Sequence, residues 1–183
     1  MTASNIVALI PALNEAESLL TLIPEVRKYI PDVVVVDDGS TDQTKVVAQK
    51  GGAVLVSLPK NQGKGVALRR GFQFLLEKGY EGCVILDADG QHSPDDIPAF
   101  LEASRTQDVG VVIGNRMHQT ASMPVIRRWT NRLMSFVLSR QFGERIPDTQ
   151  CGFRFIRSNV LKVLDLTTSR YAIDSEILME ANR

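Results

Sequence analysis

Two aspartates separated by one residue, Asp87 and Asp89, directly follow the apolar run Cys83–Leu86. In extended or turning backbone, residues two apart can place both carboxylates on one side. Such a pair suits a hard divalent cation, Mg²⁺ or Mn²⁺, which prefers oxygen ligands and can bridge substrate phosphates. Gln91 or His92 could supply a further ligand or polar contact. A turn without any metal is the structural alternative, because Asp, Gly and Ser favour turns, and the spacing leaves both interpretations open.

A second acidic group, Asp37 and Asp38, follows the run Val33–Val36. A carboxylate at a strand end can accept hydrogen bonds from a ribose or from base N–H groups. Two neighbouring charges repel each other unless a ligand or a cation offsets the repulsion. The alternative is a capped turn between a strand and a helix, which explains Asp42 well but explains the adjacent pair less well.

Two further polar segments give weaker signals. The segment Gln62–Gly65 (QGKG) could bring backbone amides and the charge of Lys64 to an anion. It is too short for a P-loop, and a simple turn at a helix start is the favoured interpretation. The segment Asp148–Arg154 (DTQCGFR) could form an ion pair across a glycine turn, or it could place Asp148 near a reacting group.

The elements that must position these residues alternate along the first part of the chain. Short apolar runs predict buried strands, and they occur at Ile6–Ile10 (ended by Pro11), Val33–Val36, Ala53–Ser57, Cys83–Leu86 and Val109–Ile113. Helical patterns are found at Glu15–Tyr29, Asp42–Lys50, Lys64–Lys78, Pro124–Phe142 and Ile173–Asn182, and Ser93–Asp96 predicts a helix start. Repeated β-α-β units predict a mostly parallel sheet with helices on both faces. Ligands bind beyond the carboxyl ends of such strands, where both acidic groups and Asn14-Glu15 fall.

The charge is balanced overall but uneven along the chain. The 21 Lys and Arg residues equal the 21 Asp and Glu residues. The overall charge therefore gives no indication of a nucleic-acid partner. Between residues 116 and 157, however, only Glu144 and Asp148 oppose a group of arginines, which comprises Arg116, Arg127, Arg128, Arg132, Arg140, Arg145, Arg154 and Arg157. This excess predicts a local site for anions, with an ordinary solvated basic face as the alternative.

Cellular location and domain organisation follow from simpler features. Cys83 and Cys151 lie in no CxxC, which favours buried thiols in a reducing compartment over a zinc site or redox pair. The N-terminus lacks a charged n-region, and no apolar run reaches the roughly 20 residues that span a bilayer. We therefore expect a cytoplasmic chain, 1–183, forming one domain with halves 1–114 and 115–183. The lack of a stop signal at Arg183 predicts a natural continuation.

Taken together, the motifs resemble the family 2 inverting glycosyltransferases of the GT-A fold. The similarity is greatest to the branch that contains dolichol-phosphate mannose synthase and bacterial polyprenyl-phosphate glycosyltransferases. The matching segments occur in the family's order: IPALNEA, VVVVDDGSTDQT, NQGKGVALRRGF, VILDADGQHSPDDIP, VIGNR, the RR…N pattern at 127–131, DTQCGFR and IDSEIL. The resemblance implies an α/β fold of the GT-A type, with a mostly parallel central sheet flanked by helices.

The resemblance also implies roles for individual residues. The donor nucleotide would contact Pro11, Leu13, Asn14, Glu15, Asp38, Lys64, Asp87 and Ala88. Mg²⁺ or Mn²⁺ would be held by Asp87, Asp89 and Gln91. An acceptor phosphate would be held by Arg116, Arg127, Arg128 and Arg132. Catalytic roles would fall to Asp89, Asp148 and Arg116. Arg69 could be donor-side or structural, and Glu176 falls in a segment that packs near the active site in the family.

The implied reaction is in-line displacement at the anomeric carbon, with inversion and a metal that stabilises the leaving nucleoside diphosphate. GDP-mannose and UDP-glucose are both plausible donors. The arginine excess favours a polyprenyl or dolichyl phosphate acceptor, whose ionised oxygen needs no strong base. A sugar hydroxyl acceptor, as in polysaccharide synthesis, would need Asp148 as base.

Two alternative functions and one possible contact with a membrane are also consistent with parts of the sequence. A sugar nucleotidyltransferase would show a glycine-rich basic loop after the first strand, which PALNEA does not supply, and the Asp87/Asp89 pair disfavours a non-catalytic binding module. The helical pattern at Pro124–Phe142 suits a core-facing helix slightly better than a helix lying on the cytoplasmic face of a membrane.

Overall fold

The computed structural model describes residues 5–107, 109–115, 135, 140, 148–169 and 172–182. Within these residues six strands form one sheet in the order β3-β2-β1-β4-β6-β5. The strands are β1 Ile6–Ala12, β2 Val33–Asp37, β3 Val54–Ser57, β4 Gly82–Ile85, β5 Val111–Ile113 and β6 Arg154–Arg157. Each lies on or next to an apolar run of the sequence, except β6, which begins at Arg154, the last residue of the DTQCGFR segment.

The sheet reverses its strand order between β1 and β4. From β1 the chain moves outward to β2 and β3, and it then returns to pair β4 with the opposite side of β1, all in parallel. Strand β6 is antiparallel to both β4 and β5, so the sheet is mixed but mostly parallel, as predicted. In open α/β sheets the point of reversal leaves a crevice beyond the carboxyl ends of the strands, where ligands bind.

Helices cover both faces of the sheet. They are α1 Ala16–Arg27, α2 Thr44–Lys50, α3 Lys64–Lys78, α4 Ile97–Thr106, α5 Ser158–Leu161 and α6 Ile173–Ala181, with a 3₁₀ turn at Pro94–Asp96. On β1, Ala8 and Ile10 join the core that contains α1, α2 and α4. Val7 and Leu9 join the opposite core with α3, α5 and α6. Burial on both faces explains why the strands read as continuous apolar runs.

Proline at position 11 does not end the first strand, contrary to the sequence-based expectation. Strand β1 continues to Ala12, and Pro11 lies opposite Val36 of β2. The carbonyl of Ala12 bonds towards the β2 side, so the alternation of the strand turns the Pro11 backbone towards β4. The last pair between β1 and β4 is Leu9 with Ile85. The missing N–H of Pro11 therefore removes no ladder hydrogen bond.

The predicted helix start at residue 93 is confirmed. Ser93 caps the 3₁₀ turn by accepting a hydrogen bond from the backbone amide of Asp95 at 3.3 Å, and Pro94 occupies its first turn. This turn leads directly into α4 at Ile97. It carries the chain from the carboxyl end of β4 back across the sheet, and so fixes where the Asp87–His92 loop must end.

Candidate active site

The loops after β1 and β2 are locked together at the carboxyl edge of the sheet. The amide of Asn14 donates to the Ser40 hydroxyl at 2.9 Å, and Asn14 Oδ1 accepts from the Thr41 amide at 2.9 Å. Asn14 has a φ of 56°, in the left-handed region that few non-glycine residues adopt. The Glu15 amide donates to the Thr44 hydroxyl at 2.9 Å. Asn14 thus holds this edge through its backbone amide and its side-chain oxygen, and Glu15 holds it through its backbone amide.

Asp37 and Asp38 are both buried, and the protein itself supplies their partners. Each oxygen of Asp38 accepts a backbone hydrogen bond at 2.8 Å, one from Gln62 and one from Gly63. Asp37 accepts from the Ser40 amide at 3.0 Å, and Lys45 Nζ lies 3.5 Å from its second oxygen. Asp37 Oδ2 itself is buried and accepts no hydrogen bond from the residues that the structure describes, so the charge of Lys45 is what offsets it.

The amides of the QGKG segment consequently already hold an anion, which is the Asp38 carboxylate. This outcome matches the favoured interpretation of QGKG as a turn at a helix start, since α3 begins at Lys64. Gly63 has a φ of 95°, a conformation that suits glycine. The Lys64 side chain of the segment lies instead beside Asp87.

Asp87 lies just past β4 and is enclosed by three parts of the chain. Lys64 Nζ lies 2.7 Å from its Oδ1, and His92 Nε2 lies 4.0 Å from its Oδ2. A Cβ atom placed on Gly152 would lie 2.1 Å from Asp87 Oδ2, so the backbone at 152 must be glycine for this carboxylate position. The Asp87 side chain is 24% exposed to solvent, while the adjacent Ala88 is buried.

Asp89 and Gln91 are exposed at the same loop. Asp89 Oδ1 accepts a hydrogen bond from the Gln91 amide at 3.0 Å, which is an Asx-type turn. Across the described ranges, no group of three His, Cys, Asp or Glu side chains is close enough to hold a metal unaided. Mg²⁺ typically binds one or two carboxylates and completes its shell with substrate phosphates and water. Asp87 and Asp89 supply two carboxylates from one loop, which is the number that this mode of binding uses.

A chain of alternating charges continues from Asp87 into the protein. Lys64 Nζ also lies 3.1 Å from Asp174 Oδ2, and Asp174 Oδ1 lies 3.7 Å from a guanidinium nitrogen of Arg154. Arg154 thus forms an ion pair with Asp174 in α6, and the carboxylate of Asp148 also acts electrostatically on its charge. Burial opposes the charge of Lys64, but Asp174 and Asp87 outweigh it and raise the pKa of Lys64 above its usual value.

Arg154 ties this chain of charges to the loop that covers Asp87. It is fully buried and donates to the carbonyls of Cys151 at 2.6 Å, Thr149 at 3.0 Å and Asp174. Burial lowers the pKa of its guanidinium, and Asp174 opposes that effect. The backbone of the 149–151 loop is thereby fixed, and Gly152 follows it against Asp87.

The acceptor-side residues are only partly within the described chain. Asp148 is fully buried beside this loop, and the Thr149 amide donates to the Ser135 hydroxyl at 3.3 Å. Arg116, Arg127, Arg128 and Arg132 lie outside the described residues. The acceptor phosphate assignment, like the Pro124–Phe142 helix, thus stays a prediction. Leu13, which follows β1, is 37% exposed, and Pro11 is half-buried.

A segment that the sequence did not single out holds the start of α3. The Gly65 amide donates to the Ser169 carbonyl at 3.0 Å, and Arg69 donates to the Thr168 carbonyl at 2.5 Å. Glu176 of α6 accepts from the amides and hydroxyls of Thr167 and Thr168. Glu176 and Arg69 are therefore structural, because they fix the segment against which the Lys64 helix packs.

The substitution Glu176→Gln is expected to destabilise the protein in a pH-dependent way. Hydrogen bonds from Thr168 and Thr167 outweigh the effect of burial and lower the pKa of Glu176 to about 2. A folded-state pKa below the unfolded value adds stability above about pH 4.5, and this stability is lost as the pH falls towards 2. Urea unfolding at pH 7, 4 and 2.5 measures the free energy of unfolding of the variant and of the unaltered protein. The difference between these free energies should shrink as the pH falls. The exposed Glu102→Gln serves as control, and a pH-independent difference would contradict the assignment.

Comparison with known proteins gives the family. The family model described as Glycosyl transferase family 2 matches residues 7–165. The chain belongs to glycosyl transferase family 2. The matched range includes the loops after β1, β2 and β4 and the 148–154 segment, but neither the Thr167–Ser169 segment nor the α6 residues Asp174 and Glu176, and it makes the protein a glycosyltransferase.

Individual family 2 relatives agree with this assignment. The chain is 34% identical to the undecaprenyl-phosphate mannosyltransferase of Micrococcus luteus over 171 residues, covering 88% of this chain and 70% of the relative. It is 28% identical to a UDP-N-acetylglucosamine–dolichyl-phosphate N-acetylglucosaminyltransferase of Methanococcus voltae, covering 96% of this chain and 79% of the relative.

The fold is confirmed by solved structures. Glucosyl-3-phosphoglycerate synthase from Mycobacterium tuberculosis, solved with Mn²⁺, UDP-glucose and phosphoglyceric acid, superposes with a TM-score of 0.78. The identity is 22%, and the match covers 95% of this chain but only 64% of the solved one. The GT-A architecture predicted from the motifs is therefore correct. In the parts of the chain that the structure describes, no helix is both long and apolar enough to cross a bilayer.

Proposed function

We propose that this family 2 glycosyltransferase moves a hexose from a nucleoside-diphosphate sugar to a polyprenyl or dolichyl phosphate. The observation that carries the proposal is the position of Asp87 and Lys64. They lie 2.7 Å apart, beyond the end of β4, at the point where the strand order reverses. Relatives named for polyprenyl- and dolichyl-phosphate acceptors support the choice of acceptor.

The donor would bind in the crevice between β1 and β4, with its diphosphate beside Asp87, Asp89 and Lys64. Asp87, Asp89 and Gln91 would hold Mg²⁺ or Mn²⁺, and the metal would stabilise the negative charge of the departing nucleoside diphosphate. The GT-A structures solved with Mn²⁺ or Mg²⁺ and UDP support a divalent ion. Asn14, Glu15 and Leu13 would line the nucleotide side, where the β1 and β2 loops already form a fixed wall.

The acceptor would be bound by the arginine-rich half, residues 115–183, with residues 1–114 supplying most of the donor site. Arg116, Arg127, Arg128 and Arg132 would orient a phosphate whose oxygen is ionised near neutral pH, so that no strong general base is needed. The full burial of Asp148 supports a phosphate acceptor over a sugar hydroxyl, because a general base must reach the acceptor proton. A lipid acceptor would place the protein at the cytoplasmic face of a membrane.

The experiment is a thermal-shift panel followed by a transfer assay. GDP-mannose, UDP-glucose and UDP-N-acetylglucosamine are tested with Mn²⁺, and the true donor at 100 times its Kd should stabilise the fold by about 2.7 kcal/mol. That donor is then incubated with polyprenyl phosphate in detergent. Release of nucleoside diphosphate together with a glycosylated lipid phosphate is the expected result.

Two further assays, with other substrates, and one outcome of the panel identify the rival functions. Pyrophosphate release from a nucleoside triphosphate and a sugar phosphate would instead indicate a nucleotidyltransferase. Transfer to a soluble oligosaccharide but not to the lipid phosphate would indicate a hydroxyl acceptor. A stabilising donor that is never turned over, with either acceptor, would favour a binding module.

A further inference from the structure

The ammonium group of Lys64 is shared between two carboxylates that come from distant parts of the chain. Its Nζ lies 2.7 Å from Asp87 Oδ1 and 3.1 Å from Asp174 Oδ2. The Lys64 side chain is 13% exposed and that of Asp174 is 9% exposed. An ammonium group has three N–H donors. Two of them are directed to these carboxylates, which leaves one for a further acceptor.

Asp174 is itself held in place from behind. The fully buried Arg154 donates to the Asp174 carbonyl and pairs with the Asp174 carboxylate at 3.7 Å. A buried guanidinium that loses its charge partner is costly, so this pair resists separation. Asp174 is thus a fixed acceptor, whereas Lys64 carries its charge on a flexible four-carbon stem.

The backbone that carries Lys64 is fixed by the same region of the chain. Lys64 is the first residue of α3, and the next amide, that of Gly65, bonds to the Ser169 carbonyl. A Cβ atom on Gly65 would lie 2.3 Å from the Thr168 carbonyl oxygen, so the two segments are in direct contact. Because the backbone of Lys64 is already fixed, the contact with Asp174 serves to fix the position of the Lys64 side chain.

We propose that Asp174 is a positioning residue of the donor site, which fixes the Lys64 ammonium beside Asp87 so that its third N–H meets the diphosphate of the donor. The inference rests on the proposed function and names a residue outside the acidic loops. Without Asp174, the ammonium loses one of its two fixed acceptors. The orientation of its remaining donor is then no longer set before the donor binds, and ordering it on binding costs affinity.

The test is a double-mutant cycle on nucleoside-diphosphate binding. The variants are Asp174→Asn, Lys64→Met and the double variant, and calorimetry measures the Kd of UDP and of GDP with Mn²⁺. Asp174→Asn should raise the Kd of the more tightly bound of the two nucleotides by roughly tenfold, because one charge-assisted contact is lost. In the Lys64→Met background the same change should have less than about a twofold effect, because Asp174 acts through Lys64.

Controls separate positioning from a general loss of structure. The exposed Asp165→Asn removes the same charge outside the network and should leave the Kd unchanged. Binding of the corresponding nucleoside, which has no phosphate, should be unaffected by Asp174→Asn, whereas a damaged fold would weaken both ligands. Asp174→Glu keeps the charge that buried Arg154 requires but displaces the carboxylate. It should weaken diphosphate binding even if Asp174→Asn does not fold.

The outcomes distinguish this inference from the function on which it rests. If the unaltered chain binds neither UDP nor GDP with Mn²⁺, the proposed function is overturned, and the inference with it. If the unaltered chain binds one of them, and both Asp174→Glu and any folded Asp174→Asn bind it equally well, only the inference is overturned. Losses that are additive in the double variant also overturn it.

Discussion

Asp89→Asn is expected to lower kcat/KM for the sugar-nucleotide donor by about 10²–10³-fold, the loss typical when one group that stabilises transition-state charge is removed. Asp89 is exposed beyond β4, and its Oδ1 accepts the Gln91 amide at 3.0 Å. An asparagine oxygen can accept the same bond, so the loop should keep its conformation. What the variant loses is the negative charge that would hold the metal.

The measurement pairs donor turnover with Mn²⁺ binding followed by electron paramagnetic resonance in the presence of nucleoside diphosphate. Both should fall together, while the unfolding temperature stays within about 1 °C, since exposed substitutions change stability little. Asp96→Asn, another exposed aspartate nearby, should change neither quantity. Full turnover in Asp89→Asn would rule out its role as a metal ligand.

Gly152→Ala is expected to reduce donor turnover by about 10²-fold, although residue 152 has no side chain to contribute to the reaction. The added Cβ would lie 2.1 Å from Asp87 Oδ2 and 2.7 Å from its Cγ. Lys64 holds the other oxygen at 2.7 Å, and Arg154 fixes the 149–151 backbone, so the Asp87 carboxylate is the group that must move. Overpacking at such a site also costs about 1–3 kcal/mol of folding free energy.

Gly79→Ala is the matched control for that stability loss. Gly79 ends α3 with a φ of 76°, and a Cβ there would meet nothing within 4 Å. Alanine in this left-handed backbone conformation should lower the free energy of unfolding by about 1–2 kcal/mol. The substitution does not alter the surroundings of Asp87. Kinetics at 20 °C, well below both unfolding transitions, should show normal turnover in Gly79→Ala. Equal losses in the two variants would mean that Gly152 acts only through stability.

Most of the sheet could be predicted from the sequence, because strands buried on both faces appear as unbroken apolar runs. Val33–Val36 became the fully buried centre of β2, and α3 spans Lys64–Lys78 as its pattern predicted. The end of β1 could not be predicted. Whether Pro11 costs a hydrogen bond depends on how far β4 extends beside it, which is a property of the assembled sheet.

The position of the Asp87-Ala88-Asp89 loop beyond a strand end could be predicted, because the apolar run before it marks β4. The candidate site was not predictable where partners come from distant segments. Asp38 appears in the sequence as a free carboxylate, but two backbone amides some 24 residues away take both of its oxygens. Lys64 and Asp174 are 110 residues apart, and no local pattern marks them as partners. The one available signal is the IDSEIL segment, which the resemblance places near the active site.

The central claim is that the crevice beyond β1 and β4 binds a nucleoside diphosphate through a divalent ion on Asp87 and Asp89. It is tested most directly by a crystal structure of the protein with Mn²⁺ and UDP or GDP, with the metal located by its anomalous scattering. The account predicts one strong peak about 2 Å from an oxygen of each of these two carboxylates and from the diphosphate. A bound nucleotide whose diphosphate lies away from both carboxylates, or a metal peak elsewhere, would contradict it.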